Sequence, residues 1–367
     1  MNKITLEQVR EDCYVLDTVN FEIPENVELL SHLRFTSVSG INTTIIEPNV
    51  FVKLFRRFPM LFTLLWAIQI FSRIGPRAVF IADGSGGALW LFIGLLNRMP
   101  FFRKRSLLCY DLFVEYLLGT EKRLRFFPFL KFKTKWKEVI AKNAILGYDL
   151  IVQWSKKQVE THASYYHIPK EKFIFLPFKA NHSKHSMYDI PMDNFVFSGG
   201  NSKRDYKTLV DAVRGTGIPV IISATSPKVR QQIDAIPNVI VLGAPEPAFA
   251  QLQAACRFSV VSTINDGTKG AGETNMCNAM WHGKPVIAAD DKSATDYIIE
   301  GETGFIVPCG DTELLRKRIL ELWNNPERCK EMGNNAHAHV VKCFTHFQLI
   351  QRLLRLALVL GQERQKR

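Results

Sequence analysis

Short apolar runs alternate along the chain with longer segments whose apolar residues recur at helical spacing. Such runs, bounded by glycine, proline or polar residues, predict buried strands, and their alternation with helices predicts parallel, doubly wound sheets. The predicted strands of the first half lie at 77–83, 106–113, 148–155 and 172–178, and the segments 13–19 and 42–48 could also be strands. Those of the second half lie at 194–198, 218–225, 238–243, 257–263, 286–289 and 304–307. The pattern therefore predicts two similar α/β domains, with sheets facing each other across a cleft.

Two further segments complete this organisation. A polar, aperiodic segment at 179–193 separates the two series of strands and predicts a linker. The last helix is predicted from about His346 to Leu360, and its leucines at 349, 353, 356 and 360 indicate a packed face. With 367 residues, the chain is long enough for two domains.

The stretch from Gly270 to Ala289 reads as a glycine-rich loop, a helix and a short strand. Thr274 and Asn275 are predicted to cap the helix, and Gly283 is predicted to end it. A loop of small residues that enters a helix leaves backbone N–H groups pointing to one place, backed by the positive end of the helix dipole. This arrangement predicts a phosphate-binding site, although an ordinary connection within an α/β sheet has the same pattern.

The cysteines argue against disulfides and zinc. The seven cysteines are odd in number and scattered, and no C-x-x-C pair occurs.

The polar start of the sequence has no apolar segment typical of a signal peptide. We therefore expect a cytoplasmic protein.

The net charge of +12 is concentrated in one quarter of the chain. Residues 51–142 contain 17 Lys and Arg against 5 Asp and Glu, which accounts for the whole excess. Within this region, residues 58–72 form a run of 15 uncharged residues. A run of this length is short for a membrane-spanning helix, so it predicts either a buried core helix or an amphipathic helix in a membrane interface.

Basic and aromatic residues are interleaved at 101–105 and 122–137. Cations beside Phe and Trp are typical of binding to an anionic membrane surface. The best candidates for contact, on a strand-like or irregular edge, are Lys131, Lys133, Lys135 and Lys137. A solvated basic face over an ordinary core remains an alternative, and nucleic acid is the least favoured partner because no recognition motif accompanies the charge.

Residues from Phe195 to about Cys343 resemble the C-terminal domain of retaining family 4 glycosyltransferases with the GT-B fold. The resemblance rests on SGGNSKRDYKTLVDAV, NAMWHGKPVIAADD and EGETGFIVPCGDTELL. It implies a nucleotide-sugar-binding domain at 188–345, an acceptor-binding domain at 1–187 and a C-terminal helix at 346–367 that crosses back to the first domain. The basic region at 51–142 further predicts that the domain at 1–187 associates with a membrane. The first half of the chain is only generically similar to the family.

The resemblance also implies a set of donor-binding residues. Arg204, with Lys207, would neutralise the leaving group, while a solvated cation at the start of a helix is the alternative interpretation of Arg204. No Asp-x-Asp lies in a plausible metal loop, so no metal and no cofactor are expected beyond a UDP- or GDP-linked sugar. The implied donor-binding residues are Gly199, Gly200, Asn201, Arg204, Lys207, Gly243, Ala244, Gly272, Glu273, Thr274, Asn275 and Asn278.

The sequence departs from the family pattern at two positions. The family has glutamates where this chain has Gly270 and Asn278. The amide of Asn278 could bind ribose hydroxyls in place of the second glutamate. Glu273 is the nearest carboxylate that could replace the first glutamate, which contacts the transferred sugar in the family. The catalytic residues implied are Asp111, Arg204 and Glu273, although Asp111 could equally serve as a buried helix cap.

Acceptor-binding residues are expected where strands of the first domain end. The candidates are the loop residues Asp83, Gly84, Ser85 and Gly86. Together these features predict a retaining glycosyltransferase, peripheral to the inner face of the membrane, that acts on a lipid-linked or membrane-presented acceptor. The alternatives are transfer to a soluble acceptor, or a catalytically weak subunit that binds a sugar nucleotide.

Overall fold

The computed structural model describes residues 4–18, 21–33, 35, 40–85, 88–112, 134–184, 190, 194–231, 233–265 and 270–366. The strands are β1 Glu28–Ser31, β2 Thr44–Ile45, β3 Ala78–Asp83, β4 Ser106–Tyr110, β5 Leu150–Gln153, β6 Phe173–Phe175, β7 Val196–Gly199, β8 Val220–Ser223, β9 Val239–Leu242, β10 Phe258–Val261, β11 Val286–Ala289 and β12 Gly304–Val307. The α-helices are α1 Leu6–Glu11, α2 Val50–Leu54, α3 Pro59–Arg73, α4 Leu89–Arg98, α5 Thr134–Leu146, α6 Lys156–Tyr166, α7 Tyr206–Val213, α8 Pro227–Arg230, α9 Ala248–Ala255, α10 Glu273–Trp281, α11 Thr312–Asn324, α12 Pro326–Cys343 and α13 His346–Gln365. Short 3-10 helices lie at Cys13–Asp17, Lys170–Lys172, Asn181–Lys184 and Ala294–Asp296.

The chain divides into two compact α/β units. The first lies within Met1–Gln153, Val159–Leu176 and Ile350–Arg367, and the second within Trp154–Gln158 and Pro177–Leu349. The first unit has a six-stranded sheet in the order β2-β1-β3-β4-β5-β6, and the second has one in the order β12-β11-β10-β7-β8-β9. All strand pairs are parallel. The prediction of two doubly wound Rossmann-like domains is confirmed, whereas the predicted domain boundaries stay predictions.

The sheet of the first unit is buried on both faces. The residues of β3 from Ala78 to Ala82 are all buried, as expected for a continuous apolar run in a parallel sheet. Helices α4 and α5 pack closely at Gly94, where an added Cβ would lie 2.2 Å from the carbonyl oxygen of Ala144. Glycine is required there because a side chain would overlap the backbone of the neighbouring helix.

One local prediction for the first unit is wrong, and one strand was missed. Residues 13–17 form a 3-10 helix rather than a strand, and the carboxylate of Asp12 accepts a hydrogen bond from the amide of Tyr14 at its start. The strand Glu28–Ser31 was not expected, although three of its four residues are buried. Its Leu-Leu pair lacks the β-branched residues that favour strands.

The C-terminal helix α13 is tied to the N-terminal segment of its unit by two arginines. The buried guanidinium of Arg352 forms an ion pair with Asp17. Arg355 donates hydrogen bonds to the carbonyl oxygens of Leu16, at 2.7 Å, and Thr18, at 2.8 Å. The four leucines that indicated a packed face are all buried, so that prediction is confirmed.

The apolar run at 58–72 forms most of α3, and it combines features of both predicted alternatives. Ala67, Ile70 and Phe71 in the later part of the helix are buried in the core, whereas Leu61 is 41% exposed. Among the described residues, no helix is both long and apolar enough to cross a membrane.

The basic segment 122–137 lies largely outside the described residues, including Lys131 and Lys133. The positions of Lys135 and Lys137 fall within the helix α5. The predicted strand-like or irregular edge is therefore wrong for these two lysines, because a helix begins at Thr134.

Candidate functional site

The glycine-rich loop of the second unit leads into α10 as predicted, but its cap differs from the expectation. The helix begins at Glu273, and its N-cap is Gly272, with a φ of +106° and no side-chain capping bond. A Cβ on Gly272 would lie 2.5 Å from Cγ1 of Val261, so sterics and backbone conformation both require glycine. Thr274 and Asn275 therefore lie in the first turn and do not cap the helix.

A second glycine loop, which follows β7, packs against the start of α10. The side-chain amide of Asn275 donates a 2.7 Å hydrogen bond to the carbonyl of Gly199. The guanidinium of Arg204 donates to the same carbonyl at 2.9 Å and to the carbonyl of Ser202 at 2.9 Å. Gly200 has a φ of +112°, and a Cβ there would lie 2.8 Å from the Arg204 guanidinium. The two loops predicted to bind phosphate thus lie together at the carboxyl ends of their strands.

Arg204 and the start of α10 both contribute positive charge at this place, beside the carboxylates of Glu273 and Asp291. Burial lowers the pKa of the Arg204 guanidinium, while Tyr206, Glu273 and Asp291 oppose that shift. An arginine remains cationic despite such a shift. The positive end of the α10 dipole adds to this charge, and the first N–H groups of a helix have no partner within it.

Asp291 fixes the loop that precedes α10, a role that sequence reasoning missed. Its buried carboxylate accepts a 2.7 Å hydrogen bond from the amide of Ala271 and a 3.1 Å bond from the amide of Ser293. The available signal was the position of Asp291 two residues after β11, because functional side chains lie at the carboxyl ends of parallel strands.

A cavity of about 480 Å³ opens beside the two loops, within the second unit. This volume lies in the range of small-molecule sites. Its wall combines five residues predicted to bind the donor with seven that were not singled out. The predicted ones are Gly200, Ala244, Thr274, Asn275 and Asn278, and the others are Asn181, His182, Glu246, Pro247, Phe249, Ala250 and His282.

A hydrogen-bonded chain of side chains crosses the cavity wall. Nδ1 of His182 lies 2.9 Å from Nε2 of His282, and Nε2 of His182 lies 3.3 Å from Oε1 of Glu246. The backbone amide of His182 donates a 3.2 Å bond to Oδ1 of Asn278. Burial, together with the charges of His182, Lys284 and His337, lowers the pKa of His282 to about 3. His282 is therefore a neutral imidazole at physiological pH.

The other predicted donor residues do not line the cavity. Asn201 bonds to the hydroxyl of Thr225 at 2.8 Å, and Gly243 directly precedes Ala244. Lys207 is exposed and forms an ion pair with Asp211 at 2.5 Å, so the structure does not bring its side chain to the cavity.

In the first unit, the predicted acceptor residues follow β3 and β4. Oδ1 of Asp83 accepts hydrogen bonds from the amide and hydroxyl of Ser85, at 2.7 and 2.6 Å. A Cβ on Gly84 would lie 2.6 Å from Cα of Leu112, so only glycine allows these loops to approach. Asp111 has a φ of +56°. Gly86 lies outside the described residues.

Two missed residues accompany these carboxylates. Burial raises the pKa of Tyr110, and the charges of Asp83 and Asp111 raise it further, so the three groups share one patch. Burial lowers the pKa of His32 to about 4, opposed by the charge of Asp83. Among the described residues, no group of three or more His, Cys, Asp or Glu could hold a metal ion.

The family described as glycosyl transferases group 1 matches residues 229–339, which contain α10 and part of the cavity wall. Over this segment the chain is similar to the group 1 glycosyl transferases. The recognition made from the sequence is therefore confirmed.

Two curated relatives are named as glycosyltransferases. This chain is 34% identical over 162 residues to D-rhamnosyltransferase WbpZ of Pseudomonas aeruginosa. The match covers 41% of this chain and 41% of the relative. The chain is 27% identical over 175 residues to O-antigen chain mannosyltransferase C of Escherichia coli, covering 45% of this chain and 46% of the relative. The chain thus matches less than half the length of either relative.

A solved structure extends the likeness to both units. Anabaena HepE, determined in complex with UDP and glucose, has a TM-score of 0.58 and 19% identity, and the match covers 86% of this chain and 85% of HepE. At this identity the likeness concerns the fold, and it agrees with the GT-B fold of two Rossmann-like units.

Proposed function

We propose that the protein is a retaining glycosyltransferase that moves a hexosyl or deoxyhexosyl group from a nucleotide sugar to a glycan acceptor in polysaccharide or glycolipid biosynthesis. The observation that carries the proposal is the joint placement of Gly199, Arg204 and the first turn of α10 beside a nucleotide-sized cavity. The rhamnosyl- and mannosyltransferase relatives and the UDP complex of HepE support the choice of substrate class.

The chemistry follows from the charge that develops during transfer. When the bond from the sugar to the diphosphate breaks, negative charge grows on the leaving phosphate oxygen. The Arg204 guanidinium and the N–H groups at the start of α10 stabilise that charge. The acceptor hydroxyl attacks from the same face, and the leaving phosphate takes its proton, so the anomeric configuration is retained without a protein nucleophile. Transfer is expected to need no divalent metal.

The test is an assay of nucleoside diphosphate release from a panel of UDP- and GDP-linked sugars, with and without an extract of membrane lipids and glycans. We expect one donor to be turned over, with release rising when the acceptor is present and unchanged by EDTA. No turnover and no binding of any donor would refute the proposal. Tight binding without turnover would instead indicate the alternative, a sugar-nucleotide-binding partner subunit, which the missing glutamates at 270 and 278 favour.

We further propose that the acceptor is presented at an anionic membrane surface. Helix α2 and the start of α3 form a surface that exposes apolar side chains beside cations, which we call the amphipathic surface. The apolar members are Val50, Phe51, Leu54, Phe58 and Leu61, and the cations are Lys53, Arg56 and Arg57. An exposed apolar patch with flanking positive charge complements an anionic lipid surface.

Co-sedimentation with neutral and anionic liposomes tests this second proposal. We expect binding to anionic liposomes that falls steeply with salt, since each cation near the surface contributes about 1 kcal/mol and is screened over about 8 Å at physiological ionic strength. A protein that stays in the supernatant with anionic liposomes at low salt would favour a soluble acceptor.

A further inference from the structure

Glu246 is the one carboxylate among the described residues that line the cavity of the second unit. It follows β9 and precedes α9. Neither the sequence motifs nor the proposed transfer chemistry gives this side chain a role. A carboxylate on the wall of a site for a diphosphate needs an explanation, because its charge repels phosphate.

The protein holds this carboxylate in place while leaving it accessible. Oε1 of Glu246 lies 3.3 Å from Nε2 of His182, and Oε2 accepts a 3.3 Å hydrogen bond from the amide of Ala250. The Glu246 side chain is nevertheless 60% exposed. Each carboxylate oxygen has a second lone pair, so both oxygens can accept a further hydrogen bond from a ligand.

The wall of the cavity combines polar and apolar residues. Gly200, Thr274 and Asn275 belong to the loops that are proposed to bind phosphate. Ala244, Pro247, Phe249 and Ala250 provide apolar surface suited to a base. In a nucleotide the ribose lies between phosphate and base, so a ligand that uses both sets of residues places its vicinal diol between them.

His182 connects Glu246 to α10. Its imidazole contacts Glu246, while its backbone amide donates to Oδ1 of Asn278 on α10. Asn278 has one side-chain oxygen, which already accepts this bond. Glu246 has two carboxylate oxygens on an exposed side chain, so it can accept one further hydrogen bond from each of two hydroxyls.

We propose that Glu246 binds the 2′ and 3′ hydroxyls of the donor's ribose, accepting one hydrogen bond on each carboxylate oxygen, and that His182 is a positioning residue for it. This inference rests on the proposed function, since it assumes a nucleotide donor. In this proposal the β9–α9 loop selects ribonucleotides over 2′-deoxyribonucleotides.

The experiment compares the binding of UDP and GDP with that of dUDP and dGDP by calorimetry. Native protein is expected to bind the preferred ribonucleotide roughly 10- to 100-fold more tightly than its 2′-deoxy form, as for the loss of a hydrogen bond to a charged group. In Glu246→Gln this preference is expected to fall below about 3-fold, with little change in binding of the deoxy form. Glu331→Gln, an exposed glutamate on α12, is the matched control and should keep the full preference.

Thermal unfolding checks that each variant is folded. If Glu246→Gln does not fold, Glu246→Asp replaces it in the experiment, because its shorter side chain should also lose the preference for ribonucleotides. Full ribose preference in the folded variant overturns the inference. A changed preference for guanine over uracil with intact ribose preference overturns it too, in favour of a base contact. If native protein binds none of the four nucleotides, the proposed function itself fails.

Discussion

The carboxylate of Glu273 occupies space beside Gly270 that a side chain at position 270 would need. A Cβ on Gly270 would lie 3.3 Å from Oε1 of Glu273 and 3.1 Å from Oγ of Ser293. Glu273 is buried, and its charge acts on Arg204. The glycine at 270 and the glutamate at 273 are thus matched, in line with the expectation that Glu273 could replace the glutamate missing at position 270.

Gly270→Ala tests this match. The added methyl group must displace Glu273 or Ser293, and overpacking of this kind typically lowers the free energy of unfolding by about 1–3 kcal/mol. Urea denaturation measures the loss, and donor turnover is expected to fall with it. Gly75→Ala is the control, because a Cβ there meets nothing within 4 Å. Equal stability of the two variants would show that position 270 tolerates a side chain.

Arg204→Ala is expected to lower kcat by about 100-fold or more, the usual effect of removing a group that stabilises charge in the transition state. Some stability is lost as well, since the guanidinium also bonds to the carbonyls of Gly199 and Ser202. Initial rates at saturating donor, combined with thermal unfolding, separate the two effects. Arg214→Ala, at a half-exposed arginine of the same unit, should retain activity. Normal turnover of Arg204→Ala would mean that the β7–α7 loop does not bind the diphosphate.

Acid is expected to destabilise the protein partly through His282. The pKa of folded His282 is lowered to about 3, whereas an unfolded histidine titrates near 6.5. The unfolded state therefore binds the extra proton first, so the contribution of His282 is complete above pH 6.5 and is lost as pH falls towards 3. In His282→Gln the loss of unfolding free energy between pH 6.5 and 4 should be smaller by up to about 3 kcal/mol.

Urea denaturation at several pH values measures this difference. The exposed His167 provides the control, and His167→Asn should keep the acid sensitivity of the native chain. Identical pH profiles for native protein and His282→Gln would show that His282 does not titrate differently on folding.

Loss of apolar contact should weaken membrane binding without weakening the fold. Phe51 and Leu54 are 59% and 72% exposed, so replacing both by serine removes little from the core. Binding to anionic liposomes is expected to fall roughly tenfold or more, in proportion to the apolar area no longer buried in lipid. Val341→Ser, at an exposed valine on α12, is the control. Unchanged liposome binding by the Phe51/Leu54 variant would exclude the amphipathic surface as the point of contact.

The sequence predicted best those elements whose signal is local. Strand β11 is observed at Val286–Ala289, as expected for an apolar run between Pro285 and the polar residues that follow. Helix α13 is observed at His346–Gln365, where a helix from about His346 to Leu360 was expected. The strand Glu28–Ser31 was missed because its partners β2 and β3, rather than its composition, hold it extended.

The residues of the site were likewise predictable only where the sequence signal is local. Its glycine loops were predictable because close approach and positive φ restrict the choice of residue. His182, Glu246 and His282 were not, because they come from three distant segments and make contact only in the folded unit. No spacing of residues in the sequence indicates such a contact.

The sheet order of the second unit limits how the chain can be divided for engineering. The group 1 segment at 229–339 contains β9 to β12 but neither β7 nor β8, which lie between β10 and β9 in the sheet. Grafting this segment onto another scaffold would transfer Glu246 and α10 without Gly200 and His182. Chimeras intended to exchange donor preference therefore require a crossover before Asn181, so that both walls of the cavity come from one parent.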